Sequence, residues 1–443
     1  MSELGSSTHA VDALRQAVTF RTVAGNVEEF EKLHDSLKSF FPLVFERCEH
    51  LAVPGTCAVL LKLKGRSSEK PVLLTAHQDV VPADNESDWT HAPFGGSLVA
   101  SDSSSWVWGR GSFDDKVSLI SILASLEGLL ADGFVPENDL YFGFGDDEEV
   151  MGHGAADICK VLTERGVKLD MVVDEGGAVM KDFLPGMKGL VGAIGVAEKG
   201  SMAVKLTVRS EGGHSSTPDN PGPVARLGKA VWACENARFP VKWLSCVENM
   251  VTLMSDELEG LLGFATKHNR SFRRLVSKAL CSIPKLAPFI RTSCVATMAN
   301  GSDAFNVIPK ECHAILNIRM LPGQNSEQVL QILRKAVNDP QVDFEVVLER
   351  APSSIISDSK GPQFGLVSSV LEQVYGDIKV IPYLMVGASD AFHYEKICSN
   401  ILRISPVCMT TEELGRMHGN DERISVDNVA KACRFYTALM KKL

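Results

Sequence analysis

The sequence predicts an α/β fold with a doubly wound, mostly parallel sheet, into which a smaller α+β domain is inserted. In the first and last parts of the chain, short apolar runs alternate with helical stretches, as in α/β layers. In the middle, the predicted order is strand, helix, two strands, helix and strand, which is the ferredoxin-like pattern. We therefore divide the chain into 1–196, an inserted domain at 197–352, and 353–443.

The bulk composition limits the class of protein. A chain of 443 residues exceeds one compact core, which favours two domains. The net charge of −10 argues against a nucleic-acid partner. The 11 cysteines include no Cys-x-x-Cys pair, which predicts reduced thiols rather than disulfides or a thiolate zinc site. With neither a signal-like N-terminal segment nor an apolar run long enough for a membrane span, we expect a cytoplasmic protein.

The first and last parts contain the predicted parallel layer. Its buried strands are predicted from apolar runs at 57–63, 71–76, 140–144, 171–174 and 401–405. Its helices are predicted from three- and four-residue apolar spacing at 10–40, 117–130 and 424–443.

The inserted domain is predicted from alternating and helical patterns. Its strands are expected at 201–210, 292–299, 312–320 and 342–349, and its helices at 223–235 and 326–338. A further helical segment at about 245–290 contains a basic patch, 267–278. This patch is interpreted as a solvated helix face, with an anionic partner as the alternative.

Acids and histidines follow the predicted strands or lie in loops that can reach their ends. His77 and Asp79 follow one strand, Glu148 and Glu149 another, and Asp174 and Glu175 a third. Two further groups lie in loops beside predicted helices: Asp114 and Asp115, and His418. Taken alone, Asp114 would be interpreted as a helix N-cap. His77 and Asp79 alone would be interpreted as a structural polar pair. Because ligands bind at the carboxyl ends of strands in open α/β sheets, we expect these groups to converge.

The predicted cluster has the donors of a metal site. Imidazole and carboxylate ligands without cysteine suit a pair of divalent ions, with zinc first and manganese or cobalt possible. Two such ions need a bridging carboxylate. Cations would also explain four consecutive acids, 146–149, directly after a buried strand.

The chain resembles the di-zinc aminoacylase/carboxypeptidase family of metallopeptidases over nearly its whole length. The segments that match are "GRGSFDDK", "DDEEVMGHGA", "VVDEGG", "AEKGSM", "GGHSSTP", "FNVIP" and "MHGNDERIS". In style they are most similar to carboxypeptidase S and to the N-acyl-amino-acid synthase/hydrolase type.

The resemblance implies a role for each residue of the cluster. His77 would bind one metal and His418 the other, with Asp114 as the bridge. Glu149 and Asp174 would complete the two sites; the spacing favours Asp174, and Glu175 is the alternative. Asp79 would orient His77, and Glu148 would be the general base. The peptide bond after Asp114 would be cis.

The resemblance also implies roles for the inserted domain, which matches a lid and dimerisation domain. His214 would act on the scissile carbonyl in the active site of a partner subunit, so a homodimer is expected. Asn306, Arg319 and Gly387 would bind substrate, although the loop "VGASDAF" differs from the usual Gly-Gly-Thr-Asp form. The remaining histidines weighed as ligands match none of the family, and we interpret them as structural: His91, His153 and His393.

The resulting functional hypothesis is a di-zinc hydrolase that cleaves an amide or peptide bond next to a free carboxylate. Its substrates would be small peptides or N-acyl amino acids. A carnosinase-like dipeptidase is the alternative within the same class. A metal-free binding protein is the alternative from another class, and the complete ligand set argues against it.

Overall fold

The computed structural model describes residues 3–101, 104–181, 189–255 and 260–443. Its helices are α1 (Glu3–Val18), α2 (Val27–Phe40), α3 (Pro42–Arg47), α4 (Lys116–Ala131), α5 (Gly154–Glu164), α6 (Pro223–Glu235), α7 (Ser245–Met254), α8 (Gly260–Lys267), α9 (Arg273–Ser282), α10 (Ser326–Val337), α11 (Pro362–Tyr375), α12 (Thr411–Leu414) and α13 (Val426–Met440). Its strands are β1 (Glu49–Leu51), β2 (Val59–Leu63), β3 (Ser67–His77), β4 (Ser97–Ala100), β5 (Ser105–Trp108), β6 (Asn138–Gly145), β7 (Met171–Lys181), β8 (Leu190–Glu198), β9 (Gly200–Arg209), β10 (Gly213–His214), β11 (Ser293–Asn300), β12 (Val307–Ile308), β13 (Glu311–Met320), β14 (Val342–Arg350), β15 (Ile378–Met385), β16 (Ile401–Met409) and β17 (Arg423–Ser425).

The chain divides into two compact units. Unit 1 comprises Met1–Val196, Ile355–Tyr383 and Ser389–Leu443. Unit 2 comprises Ala197–Ser354 and Leu384–Ala388.

Unit 1 is built on an eight-stranded sheet in the order β1-β2-β6-β3-β7-β16-β8-β15. The four central strands, from β6 to β16, run parallel, whereas β1 and β2 pair antiparallel at one side. The central strands are buried on both faces, since helices cover them. The parallel centre therefore directs the carboxyl ends of β3, β6 and β7 to one edge of the sheet.

A small three-stranded antiparallel sheet, β17-β5-β4, belongs to the same unit. Its register joins Arg423 to Trp108 and Ser425 to Trp106. Sequence patterns did not predict it, because strands of three or four residues are too short to show a period. It brings the segment before α4 beside the loop before α13.

Unit 2 contains a four-stranded antiparallel sheet in the order β11-β13-β9-β14. Alternate residues of β9 and β13, such as Val204 and Leu316, are buried in a core that also includes Leu227 of α6 and Leu333 of α10. The opposite side chains of these strands belong to the other face of the sheet. This strand order and the two helices form the ferredoxin-like arrangement.

The fold class predicted from the sequence is confirmed. The predicted helix at 10–40 is interrupted between α1 and α2, where residues 19–26 form turns. Strands β8 and β15 were not predicted, and the 245–290 segment forms α7, α8 and α9, with residues 256–259 outside the described part. The domain boundaries at 197 and 352 stay a prediction. Within the described residues, no helix has the length and apolarity needed to cross a membrane.

Candidate metal centre

His77 is the last residue of β3 and is held from two sides. Its register partner on β6 is Gly145, so the ring lies at the edge where the parallel strands end. Its Nδ1 lies 3.0 Å from the carbonyl oxygen of Asp79 and 3.3 Å from that residue's Oδ1. Its Nε2 lies 3.0 Å from Asp114 Oδ1. The ring is therefore oriented by Asp79 and presents Nε2 to Asp114.

Asp79 has a second function that the sequence did not reveal. Its buried carboxylate accepts hydrogen bonds from the backbone N–H of Glu148, at 3.1 Å, and of Glu149, at 3.0 Å. One acid thus fixes His77 and also the backbone of the two glutamates after β6.

The four consecutive acids divide into two structural and two site residues. Asp146 accepts from Thr56 Oγ1 and from the backbone N–H of Cys57, at 2.7 and 2.6 Å. Asp147 accepts from the backbone N–H groups that precede and begin α5, at 2.7 and 2.8 Å. The first two acids are therefore hydrogen-bonded to protein donors, which leaves Glu148 and Glu149 for the site.

Asp114 lies between the two histidines. Its Oδ1 faces His77, and its Oδ2 lies 3.0 Å from Nε2 of His418. The same Nε2 lies 3.0 Å from Glu149 Oε2. Ligand atoms of His77, Asp114 and Glu149 all lie within 4.8 Å of one another. The peptide bond between Asp114 and Asp115 is cis, as the resemblance implied.

The electrostatics of this cluster follow from buried acids beside imidazoles. Hydrogen bonds to Asp114 and Glu149 raise the pKa of His418 to about 10, against the effect of its partial burial. Burial alone would lower the pKa of His77, but Asp114 and Asp79 raise it well above its ordinary value. Burial raises the pKa of Glu148 well above its ordinary value, and the neighbouring acids add to this effect. Without another cation, the cluster therefore retains protons.

The residues present fit a pair of divalent ions. The donors are two imidazoles and several carboxylates, a set that suits zinc and its neighbours in the first transition row. The Oε1 atom of Glu149 is buried and has no hydrogen-bond partner within the described chain. A buried carboxylate oxygen without a donor loses solvation and gains nothing, unless a cation binds it.

The third predicted acidic position, Asp174 or Glu175, lies where β7 becomes irregular. Between Asp174 and Ala178, β7 advances four residues while β16 advances only from Arg403 to Ser405. A Cβ on Gly177 would lie 2.1 Å from the carbonyl oxygen of Ala193, so this bulge requires glycine.

Both acids lie within the charge environment of the cluster. Asp174 Oδ2 accepts from the backbone N–H of Ala391 at 2.8 Å. Burial raises the pKa of Glu175, and Asp114 is the nearby acid that raises it most. The choice between Asp174 and Glu175 as a ligand stays a prediction.

The predicted substrate-binding residues all belong to unit 2. His214 on β10 pairs with Val307 on β12, and Ser215 N donates to the carbonyl oxygen of Asn306 at 3.1 Å. Arg319 lies on β13 between its register partners Ser201 and Ser293. Gly387 lies in the short segment of unit 2 at Leu384–Ala388. The structure thus groups His214 with Asn306.

The three histidines interpreted as structural have contacts outside this cluster. The His91 ring packs edge-on against Trp108, and the His393 ring packs against Phe392. The backbone N–H of His153 donates to Asp147.

Sequence reasoning also missed Gln78, between His77 and Asp79. Its amide nitrogen donates to the carbonyl oxygens of Phe144, at 2.9 Å, and Gly145, at 3.3 Å, and its oxygen lies 2.7 Å from His34 Nε2. In the sequence, the signal for this role was the position of Gln78 between two site residues at the end of an apolar strand.

Comparison with curated proteins identifies relatives of similar length. The chain is 32% identical over 448 residues to a probable carboxypeptidase S-like 2 of Dictyostelium discoideum, covering 98% of this chain and 85% of that protein. It is 30% identical over 429 residues to the human N-fatty-acyl-amino acid synthase/hydrolase PM20D1, covering 96% of this chain and 84% of that protein.

Solved structures share the fold. The M20 family metallo-carboxypeptidase Sso-CP2 from Sulfolobus solfataricus matches with a TM-score of 0.72 and 19% identity, over 100% of this chain and 99% of that one. The dipeptidase Dug1p from Saccharomyces cerevisiae matches with a TM-score of 0.68 and 18% identity, over 100% of this chain and 98% of that one.

Residues 73–442, from β3 to the end of α13, match Peptidase family M20/M25/M40. The predicted recognition and enzyme class are therefore confirmed. This chain belongs to the M20/M25/M40 peptidase family, as a metal-dependent peptidase or amidohydrolase.

Proposed function

We propose that the protein is a di-zinc hydrolase that cleaves the amide bond of N-acyl amino acids or small peptides next to a free carboxylate. The observation that carries the proposal is the convergence of His77, Asp114, Glu149 and His418 at the carboxyl edge of the parallel sheet. Relatives described as carboxypeptidase S-like and as N-fatty-acyl-amino acid hydrolases support this substrate class. The matching M20 protein YXEP of Bacillus subtilis, with a TM-score of 0.58, is described as dinuclear metal binding.

Two divalent ions would be held by His77 on one side and His418 on the other, with Asp114 between them. The chemistry supplied when they are bound is Lewis-acid activation of water and of the scissile carbonyl. Zinc is favoured by the nitrogen and oxygen donors, with cobalt or manganese as possible substitutes.

Glu148 would move the proton during hydrolysis. It takes a proton from the attacking water and delivers it to the departing amine, as a general base and then a general acid. Its raised pKa, caused first by burial, suits a group that must hold a proton for part of the cycle. Asp79 fixes its backbone N–H and so limits where the carboxyl group can lie.

Arg319 would bind the free carboxylate of the substrate. Its guanidinium is planar and offers paired donors that match a carboxylate. The surroundings are electropositive: burial first, and then nearby Arg319 and Arg291, lower the pKa of Lys199 to about 7. An anionic substrate group would therefore complement the charge of this part of unit 2. Asn306 and Gly387 would offer an amide and a backbone donor to the same substrate.

His214 would donate a hydrogen bond to the reacting carbonyl. Its Nδ1 lies 2.8 Å from Ser216 Oγ and 3.2 Å from the backbone nitrogen of Ser216, so Nδ1 is engaged within its own turn and Nε2 would be the nitrogen that faces the substrate. The ring is exposed on unit 2, and the nearby Phe305 is also exposed. An exposed histidine donor beside an exposed aromatic ring supports action on a partner subunit.

The edge strand β11 supports a homodimer. It contains no charged residue, and its Val295 and Met298 are 52% and 64% exposed. Trp232 on the neighbouring α6 is 68% exposed. The other edge strand, β14, contains the protective charges Asp343, Glu345 and Glu349. An uncharged, apolar edge of this kind is typical of a surface that another copy covers.

Complementation tests the homodimer and the role of His214 together. Mixing Glu148→Ala with His214→Ala after subunit exchange should restore activity, because one site of each heterodimer would keep both residues. Mixing Glu148→Ala with Glu149→Ala is the matched control and should restore none, since both lesions lie within one subunit's site. No recovery in proven heterodimers would contradict action in trans.

Metal analysis combined with a substrate library tests the function itself. We expect two zinc ions per chain and turnover of N-acyl amino acids. Preference for dipeptides would indicate the dipeptidase alternative, and a chain that binds no metal would support a binding protein. The eleven unpaired cysteines are compatible with a cytoplasmic location, which fractionation of the native source would test.

A further inference from the structure

A buried ion pair connects the two loops that provide Asp114 and His418. Arg110 Nη1 and Glu422 Oε2 lie 2.6 Å apart, and the two side chains are 3% and 1% exposed. The guanidinium also lies over the ring of Trp89, 5.3 Å from its centroid. Both side chains are thus fixed by contacts on several sides.

The polar atoms of Arg110 and Glu422 that do not join the pair bind backbone groups of the two loops. Glu422 Oε1 accepts from the backbone N–H of Phe113 at 2.9 Å and of Asp114 at 3.2 Å. Arg110 Nη2 donates to the carbonyl oxygens of His418 and Gly419, each at 3.1 Å. Each loop is therefore held by the residue that comes from the other loop.

The His418 loop needs such support. His418 and Asp421 both have a φ of +59°, a left-handed conformation that costs energy for residues other than glycine. The side chain of His418 is 49% exposed, and within the described residues its ion-pair contacts are with Asp114 and Glu149. Its backbone is anchored by Arg110 and, through Asp421, by Thr90 at 2.7 Å.

We propose that Arg110 and Glu422 are positioning residues that set the separation between Asp114 and His418. They thereby control the affinity of the metal held by His418 more than that of the metal held by His77, which depends on this pair through Asp114 alone. The inference rests on the proposed two-metal function. The His77 ring itself is held apart from this pair, because it lies at the end of β3 and is oriented by Asp79. The effect should therefore fall mainly on one of the two ions.

A role in folding alone does not account for the pair. Buried ion pairs contribute little net stability, because desolvation offsets their attraction. Within the described residues, the side-chain hydrogen bonds of Arg110 and Glu422 besides the pair itself all lead to backbone atoms of the site loops. Groups that orient metal ligands typically change metal affinity 10–100-fold when replaced.

The test uses two conservative variants of the full-length protein. Glu422→Gln keeps the size and an acceptor oxygen but removes the charge. Arg110→Lys keeps the charge but replaces the two guanidinium nitrogens, which bind Glu422 and the carbonyl oxygens separately, with a single ammonium nitrogen. Stepwise zinc affinities are measured on the metal-free protein with a competing chromophoric chelator, and cobalt absorption spectra report the geometry of each site.

We expect one of the two zinc affinities to fall about 10–100-fold in both variants, with a smaller change in the other, which shares only Asp114 with this pair. The spectrum of one cobalt ion should change more than that of the other, and the metal-free variants should lose no more thermal stability than variants of a control pair, because each loses one partner of a buried ion pair. The matched control is the second buried pair, Arg350 with Glu198, whose atoms lie 2.9 Å apart in unit 2. Arg350→Lys and Glu198→Gln should leave both zinc affinities unchanged.

Three results would overturn the inference: two unchanged affinities, an equal fall in both, or unfolding of the Arg110 and Glu422 variants while the control variants fold. A wild-type protein that binds no zinc would instead refute the proposed function. The two failures are therefore distinguishable.

Discussion

The acidic cluster of unit 1 and the buried charges of unit 2 have different kinds of partners. In unit 1, the carboxylates of Asp79, Asp114 and Glu149 converge on two histidines at the carboxyl edge of the sheet. In unit 2, Glu198 pairs with Arg350, and Lys199 Nζ donates to the carbonyl oxygens of Pro288 and Arg291 at 3.1 and 3.0 Å. Unit 2 thus pairs its buried charges with its own donors and acceptors. The cluster in unit 1 lacks sufficient cations of its own.

This difference separates a structural charge from a functional one. A charge that the protein satisfies internally contributes to folding, and its removal should change stability. A cluster of acids that raises the pKa of its own histidines is stable at neutral pH only by retaining protons or by binding metal. The predictions below test whether the two classes respond as differently as the contacts indicate.

The largest effect is expected at Glu148. Glu148→Ala should lower kcat by roughly 10²–10⁴-fold or more, because general acid–base groups contribute this much and this one serves two transfers. Both metals should stay bound. Glu149→Ala should instead lose one metal, because its carboxylate faces His418. Activity assays with parallel metal analysis distinguish the two variants. Metal loss from Glu148→Ala, or near-normal turnover by it, would contradict the role of Glu148 as general base.

Arg319 tests whether unit 2 contains a functional charge as well. Arg319→Met should lower kcat/KM about 10–100-fold, mainly through KM, since charge-assisted hydrogen bonds contribute about 1.5–3 kcal/mol. Arg209→Met is the control on the same sheet, because that exposed arginine pairs with Asp343 and Glu311. Steady-state kinetics with a substrate and its carboxamide analogue provide the measurement. Equal losses for both substrates would argue against carboxylate binding.

The pH dependence of metal binding tests the proton-retaining cluster directly. The pKa of His418 is raised to about 10 in the metal-free protein, so below that pH the ring is protonated and must lose its proton to bind metal. Zinc affinity should therefore rise with pH between about 6 and 9, by up to tenfold per pH unit for each proton released. Calorimetry in buffers of different ionisation enthalpy counts these protons. A pH-independent affinity would mean that the histidines are already neutral.

The sequence predicted the convergence of the site because parallel strands place their carboxyl ends at one edge. His77, Glu149 and Asp114 could each be assigned to such an end or to a loop beside it, and the structure brings them together. The ferredoxin-like order of unit 2 was predictable for a related reason, since its strands alternate and its helices are amphipathic.

Other features depend on contacts that no local pattern encodes. The bulge after Asp174 interrupts the alternation of side chains along β7. The sequence therefore does not predict whether Asp174 or Glu175 faces the metal site. Arg110 and Glu422 are far apart along the chain, and the short strands that join their segments show no period. Asp79 can contact both His77 and the backbone after β6 only because β3 and β6 are paired in the sheet. This pairing cannot be read from either segment alone.

The smallest expected effect concerns Asp147, which lies one residue from Glu148 but caps α5. Its carboxylate accepts from the backbone N–H of His153 and of Gly154. Asp147→Ala should lower the free energy of unfolding by about 1–2 kcal/mol, as loss of a helix cap does, and leave kcat/KM close to wild type. Asp147→Asn keeps one acceptor oxygen and should lose less. Urea unfolding of the metal-free variants gives the stabilities, and kinetics of the zinc-loaded variants give the activities. If Asp147→Ala lost as much activity as Glu148→Ala with both metals bound, the four acids would act as one functional group, and the division between structural and functional charge within this segment would be wrong.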